Sequence, residues 1–200
     1  MKHLLTIILI LAGLGGIVSA ATDLRETEDR AAAGEPCAIR ALRDSAEAGS
    51  LRAMNFLGFL YWQGAGTRLD RDSALYYLRL ASERGDAKAS ANLGHLLLTG
   101  SPEMKADTVE ALRLLDFAAG RNSSAALREL ADYFDTNPGN STAAGAIKKV
   151  ADAYSHGFIL PYNYHKSLKL YERAANLGDT TSRRIITELL EFFPDALRHQ

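Results

Sequence analysis

The residues best suited to chemistry gather in one stretch: Tyr154, His156, Phe158, Tyr162, Tyr164 and His165. Two imidazoles and three phenols within twelve residues could form a polar aromatic site. Asp152 and His156 stand four apart, so a helix would place two metal-ligand types on one face. No third ligand follows at a recognisable spacing, and the ligand set is too incomplete for a metal centre. Packing of the 156–164 loop accounts for the cluster better than metal binding or catalysis. Asp70 and Asp72 resemble half of a calcium loop but lack the glycine and closing glutamate that such a loop needs. G-x-S-x-G, S-x-x-K, H-E-x-x-H and P-loop motifs are absent from the sequence. No cofactor and no metal is expected.

The single cysteine, Cys37, excludes an intramolecular disulfide and any multi-cysteine metal site. Following Pro36 near the start of an expected helix, it reads first as a small buried apolar residue. A Cys37-linked dimer is the second reading, open in an oxidising compartment. Asn122–Ser123–Ser124 and Asn140–Ser141–Thr142 are formal glycosylation sequons that matter only in a eukaryotic source. Helix boundaries rich in Ser and Asn explain them more simply.

Around these residues the chain is ordinary in bulk. Its 200 residues carry 23 Lys+Arg against 24 Asp+Glu, a formal charge of −1. That balance gives no electrostatic reason to expect nucleic acid or anionic lipid as a partner. The length suits one domain with a real core. The first segment is expected to be an address. Met1–Lys2–His3 is followed by an apolar run from Leu4, and Val18–Ser19–Ala20 offers the small residues a signal peptidase reads. Residues 1–20 are expected to be a cleaved signal peptide, leaving Ala21 or Thr22 first. Leu4 to Val18 is short for a bilayer span, and no later stretch is long and apolar enough, so no stable membrane span is expected after cleavage.

The elements that position these side chains follow from a repeat. Ala53–Met54–Asn55–Phe56–Leu57–Gly58 with Gly64 recurs, at an offset of 36, as Ala89–Ser90–Ala91–Asn92–Leu93–Gly94 with Gly100. Ala146 to Tyr154 with Gly157 keeps the same frame, with Val150 and Ala151 in the Leu–Gly places. A second half also recurs, from Ala74, Ala111 and Ser167 to Gly85, Asn122 and Gly178. Such self-similarity marks an array of helical hairpins. Ala74, Leu78 and Ala81 share one helix face, as do Ala53, Leu57 and Leu60. Gly58 and Gly94 inside helices imply close approach of a neighbour, which compensates their propensity cost of about 1 kcal/mol. Gly49, Gly85 and Gly178 suit left-handed helix ends, with Asn122 as the usual substitute. Asp86 and Asp179 suit the helix starts that follow. Nothing alternates with period two, so no sheet is expected.

The run Leu57–Gly58–Phe59–Leu60–Tyr61, Gly64–Ala65–Gly66, Asp70, Ala74 and Ala81 to Gly85 resembles the Sel1-like repeat, a relative of the tetratricopeptide repeat. The resemblance implies an all-α fold of αα-hairpins stacked as a right-handed superhelical solenoid. It divides the mature chain into a flexible segment 21–35, an array over 36–193 and a tail 194–200. The array comprises a partial repeat 36–49, repeats 50–85 and 86–122, a degenerate stretch 123–143, a repeat 144–178 and a partial repeat 179–193. Spacing breaks after Asn122, where about one helix is missing. A helix over 123–136 is expected to pair with the next, about 141–155, despite both having first-helix character.

By the same resemblance the first helix of each pair lines a concave face. Asn55, Phe59 and Trp62 are expected there, matched by Ala91, His95 and Leu98, by Arg128, Asp132 and Asp135, and by Lys148, Asp152 and Ser155. Phe59 and Trp62 would make an aromatic peptide anchor, although Trp62 packed on the Gly64–Thr67 loop is an equal alternative. The implied function is a non-enzymatic scaffold for a protein or peptide partner, secreted or periplasmic (extracellular or in the endoplasmic reticulum lumen if eukaryotic). Roles in signalling regulation, envelope processes or host contact fit it. The alternatives are a binding or inhibitory module for an envelope enzyme or cell-wall fragment, and a hydrolase with a site near His156 and His165.

Overall fold

The computed structural model describes residues 24–102, 104–139 and 143–192. The expected signal peptide, the 194–200 tail and the 140–142 sequon lie outside them. Among the described residues there are ten helices and no strand: α1 over 24–32, α2 Pro36–Glu47, α3 Leu51–Gln63, α4 Arg71–Glu83, α5 Ala87–Thr99, α6 Thr108–Ala119, α7 Ser124–Thr136, α8 Ala144–His156, α9 Tyr164–Asn176 and α10 Thr180–Phe192. The chain divides between Arg84 and Gly85 into two compact units.

In the first unit, α3 packs on α4 as a hairpin and α2 packs on α3. Ala53, Leu57 and Leu60 from α3 and Ala74, Leu78 and Ala81 from α4 are buried, as their spacing implies. A Cβ added to Gly58 would lie 2.6 Å from Leu78 Cγ and 3.2 Å from the Ala74 carbonyl oxygen. The bare backbone is therefore what lets α4 seat on α3. The segment read as flexible differs: α1 is helical, with Ala31 fully buried. Its Glu28 carboxylate accepts two bonds from Arg52, at 2.6 Å and 2.5 Å, so a nearly buried charge is paired across 24 residues of sequence. No local pattern could announce that partner.

In the second unit, α5 and α6 form one hairpin, α8 and α9 another, and α10 packs on α9. Gly94 repeats the role of Gly58, its added Cβ falling 2.8 Å from Leu115 Cγ and 3.1 Å from the Ala111 oxygen. α7 is the helix without a hairpin mate. It touches α5, α6 and α8, while α8 pairs chiefly with α9 rather than with α7 as expected. Ala126, Leu130 and Phe134 are buried, so α7 fills the core as a single helix.

One device recurs at each hairpin turn. The backbone N–H groups of Asp70, Asp107 and Asn163 donate to the carbonyls of Tyr61, Leu97 and Tyr154, at 3.0, 2.8 and 3.0 Å. Each of those three side chains then caps the second helix, accepting from the N–H of Ser73, Glu110 and Lys166. Asp70 is thus a helix cap, not a calcium ligand. First helices are capped the same way by Ser50, Asp86, Ser123 and Asp179. The left-handed ends predicted at Gly49, Gly85, Asn122 and Gly178 all have positive φ.

Candidate protein-binding site

In the first unit α3 presents the aromatic pair. Phe59 is 44% exposed and lies 5.9 Å from the Phe56 ring. Trp62 is half-buried beneath Arg71, whose guanidinium carbon is 4.8 Å from the ring centroid. Such a cation–π contact orients the indole and costs it no hydrogen-bond donor. Asn55, one turn earlier, is half-buried.

The second unit presents charge. His95 is exposed and its Nδ1 lies 3.0 Å from Glu129 Oε1 on α7. Ala91 is buried and Leu98 is packed against the core, so neither is offered to a partner. Arg128 and Asp132 are exposed on α7, and Asp135 pairs with Lys166 of α9. On α8, Lys148 donates to Asp152 at 2.7 Å, while the other carboxylate oxygen of Asp152 accepts the Tyr171 hydroxyl at 2.7 Å. Burial pushes the Tyr171 phenol well above its ordinary pKa, so it remains a donor. Ser155 donates to the Asp152 carbonyl at 2.8 Å.

Those bonds also separate Asp152 from His156. The Asp152 carboxylate faces Lys148 and Tyr171, and His156 Nδ1 lies 2.6 Å from the Asp152 backbone oxygen. The two side chains do not converge. Tyr154 is buried with the Lys166 ammonium 4.6 Å from its ring centroid. Phe158 and Tyr162, expected to pack the loop, are 90% and 67% exposed. Among the described residues no group of three or more ligand-type side chains could hold a metal ion. Cys37, expected to be buried, is exposed, its Sγ lying 3.6 Å from an Arg30 nitrogen. The first turn of α2 at Pro36 stands off the core, and the apolar face of that helix is Ala38, Leu42 and Ala46 instead.

One feature of the first unit escaped the sequence. Arg40 and Arg43 on α2, Arg68 in the turn after α3 and Arg71 opening α4 line a common groove. They come from three elements and share no periodic face. The available signal was the choice of cation: between Leu24 and Arg84 every basic residue is arginine.

With this geometry in place, the comparisons with known proteins define a class. The Sel1 repeat profile matches residues 51–86, 87–123 and 144–179. The chain belongs to the Sel1 repeat family. A protective antigen present in uropathogenic Escherichia coli strains, with an SLR fold, is similar over 77% of this chain and 36% of its own, at 22% identity and a TM-score of 0.50. A Sel1 repeat protein from Oxalobacter formigenes is similar over 86% of this chain and 60% of its own, at 24% identity and a TM-score of 0.46. The chain thus spans about a third and three-fifths of those two solved chains. No curated protein matches it. The family and the helical hairpins make the described residues an all-α helical-repeat fold. No helix among the described residues is long and apolar enough to cross a membrane.

Proposed function

We propose that this chain is a non-enzymatic scaffold whose first-helix faces hold a protein or peptide partner, with Phe59 and Trp62 as the anchor. The observation that carries the reading is Phe59, a large ring left 44% exposed on a helix whose other face is closely packed. Exposed aromatic side chains of this kind dominate binding energy in protein interfaces. In the second unit, taken by itself, the same reading gives His95, Arg128, Asp132, Lys148 and Asp152 as partner-binding residues. The N-terminal pattern supports a secreted or periplasmic chain, and N-terminal sequencing of the protein from that fraction should find Ala21 or Thr22 first. Signalling regulation, envelope processes and host contact are the settings such a scaffold fits.

Crosslinked capture from the extracellular or envelope fraction tests this, with the mature protein and the Phe59→Ala/Trp62→Ala variant as baits. The variant keeps its helicity by circular dichroism and loses the partner taken by the wild type. Equal capture by both removes the aromatic anchor from the account.

A further inference from the structure

α2, the turn after α3 and the first turn of α4 line an open groove of about 710 Å3. That volume falls in the range that accommodates a ligand or a short run of side chains. Its lining is one-sided in charge, with four arginines against Asp70 alone. Across residues 24–84 the nine arginines are matched by nine carboxylates, so the concentration belongs to the groove and not to the unit.

Asp70 offsets one of the four positive charges and leaves the lining net positive by three. Its carboxylate is engaged as a helix cap, accepting the Ser73 N–H at 3.0 Å and the Ser73 hydroxyl at 2.7 Å. Arg43 donates twice to the Tyr61 hydroxyl, at 3.1 Å and 2.5 Å, which fixes the guanidinium with a neutral acceptor. Arg71 is oriented by the Trp62 ring. Arg40 and Arg68 are exposed. Ile39 and Leu69 add an apolar element, and Leu69 is 50% exposed.

The turn that carries Arg68 and Leu69 is held firmly. Gly64 and Gly66 have φ of 67° and 68°, and the Thr67 hydroxyl donates to the Leu60 carbonyl at 3.1 Å. A Cβ on Gly66 would sit 2.0 Å from the Ala31 oxygen, so the turn lies directly against the α1–α2 connection. The groove is therefore organised before any ligand arrives, which lowers the ordering cost of binding.

The geometry points to an acidic peptide as the occupant: an extended segment of a partner protein whose carboxylates meet the guanidiniums while an apolar side chain lies on Ile39 and Leu69. Arginine forks match carboxylates in a bidentate way that ammonium groups do not. A lone phosphate or citrate would leave the apolar residues unused. A nucleic acid would extend past the groove, along a unit whose arginines and carboxylates are equal in number over residues 24–84. This inference rests on the scaffold reading above and names the chemistry of its partner.

The test is fluorescence anisotropy of the mature protein with a labelled peptide of glutamates carrying two interspersed leucines. Its glutamine counterpart, an oligonucleotide of equal charge, and citrate as competitor complete the set. The glutamate peptide binds and the glutamine peptide does not. Arg40→Gln/Arg68→Gln, two exposed positions whose change leaves helicity intact, weakens binding about tenfold or more. Arg40→Lys/Arg68→Lys recovers only part of the loss. Absence of binding to wild type, equal binding by the Gln variant, or equal binding of the oligonucleotide overturns the inference. Displacement by citrate as readily as by unlabelled peptide overturns it in favour of a small-anion site. None of these outcomes touches the Phe59→Ala/Trp62→Ala capture experiment, so the two readings fail separately.

Discussion

Gly66 has no room for a side chain. Its left-handed backbone and the Ala31 oxygen at 2.0 Å from an added Cβ make Gly66→Ala a backbone collision, not a side-chain adjustment. We expect that variant to lose about 2 kcal/mol or more in urea unfolding. A wild-type midpoint would contradict the placement of the turn. The capping carboxylates make a second prediction. Backbone N–H donation from Ser73 holds Asp70, and that from Ser182 holds Asp179, below the usual carboxylate range. A depressed folded pKa contributes stability that is present above the unfolded value and is lost as pH falls through the folded one. Stability should therefore drop on the acid side of the ordinary carboxylate range. Asp70→Asn/Asp179→Asn should narrow the difference in urea midpoint between about pH 7 and about pH 3. An unchanged difference would show that other groups set the acid limb. Asp179 was legible in the sequence because a helix start needs such a residue after the left-handed Gly178. The capping role of Asp70 needed the backbone, since Asp70 and Asp72 together also imitate a calcium loop.

The helix pairs are held by their glycines as much as by their leucines. Gly58→Ala and Gly94→Ala each push a Cβ to within 3 Å of a leucine and close to a carbonyl on the facing helix. Each should cost about 1–3 kcal/mol, against which the gain in helix propensity is about 1 kcal/mol. Gly145 is the control, because it lies in α8 with nothing within 4 Å of an added Cβ. Gly145→Ala should be neutral or stabilising by up to about 1 kcal/mol. Thermal unfolding of the three variants checks this, and a similar loss at all three would remove close packing as the reason for Gly58 and Gly94. These helices were readable because one face repeats in register. α1 was not, since its burial depends on the distant Arg52 and it carries one leucine. The repeat 144–178 implied the pairing of α8 with α9, but the placement of α7 beside α5, α6 and α8 as a single helix was not expected. α7 satisfies its own C-terminal end through Arg173 of α9, which donates to the carbonyls of Phe134 and Asn137 at 3.3 and 2.9 Å. It needs no hairpin mate to do so.

At the scale of the whole chain, three matched Sel1 repeats and an unmatched α7 are divided between two compact units. The arginine groove belongs to the first unit, while exposed aromatic rings and ion pairs occur in both. The repeat class was legible because it depends on small and apolar residues at fixed spacing. The arginine groove was hidden because its residues meet only when α2, the turn after α3 and α4 are folded together. In the proposed scaffold a partner protein lies against α3. A photoreactive phenylalanine analogue placed at Phe59, and separately at Val109 on α6, tests it most directly in the native compartment. Both positions are open to solvent, at 44% and 75% exposure. The account predicts a crosslinked partner from position 59 and none from position 109. A partner crosslinked from position 109 alone would contradict it.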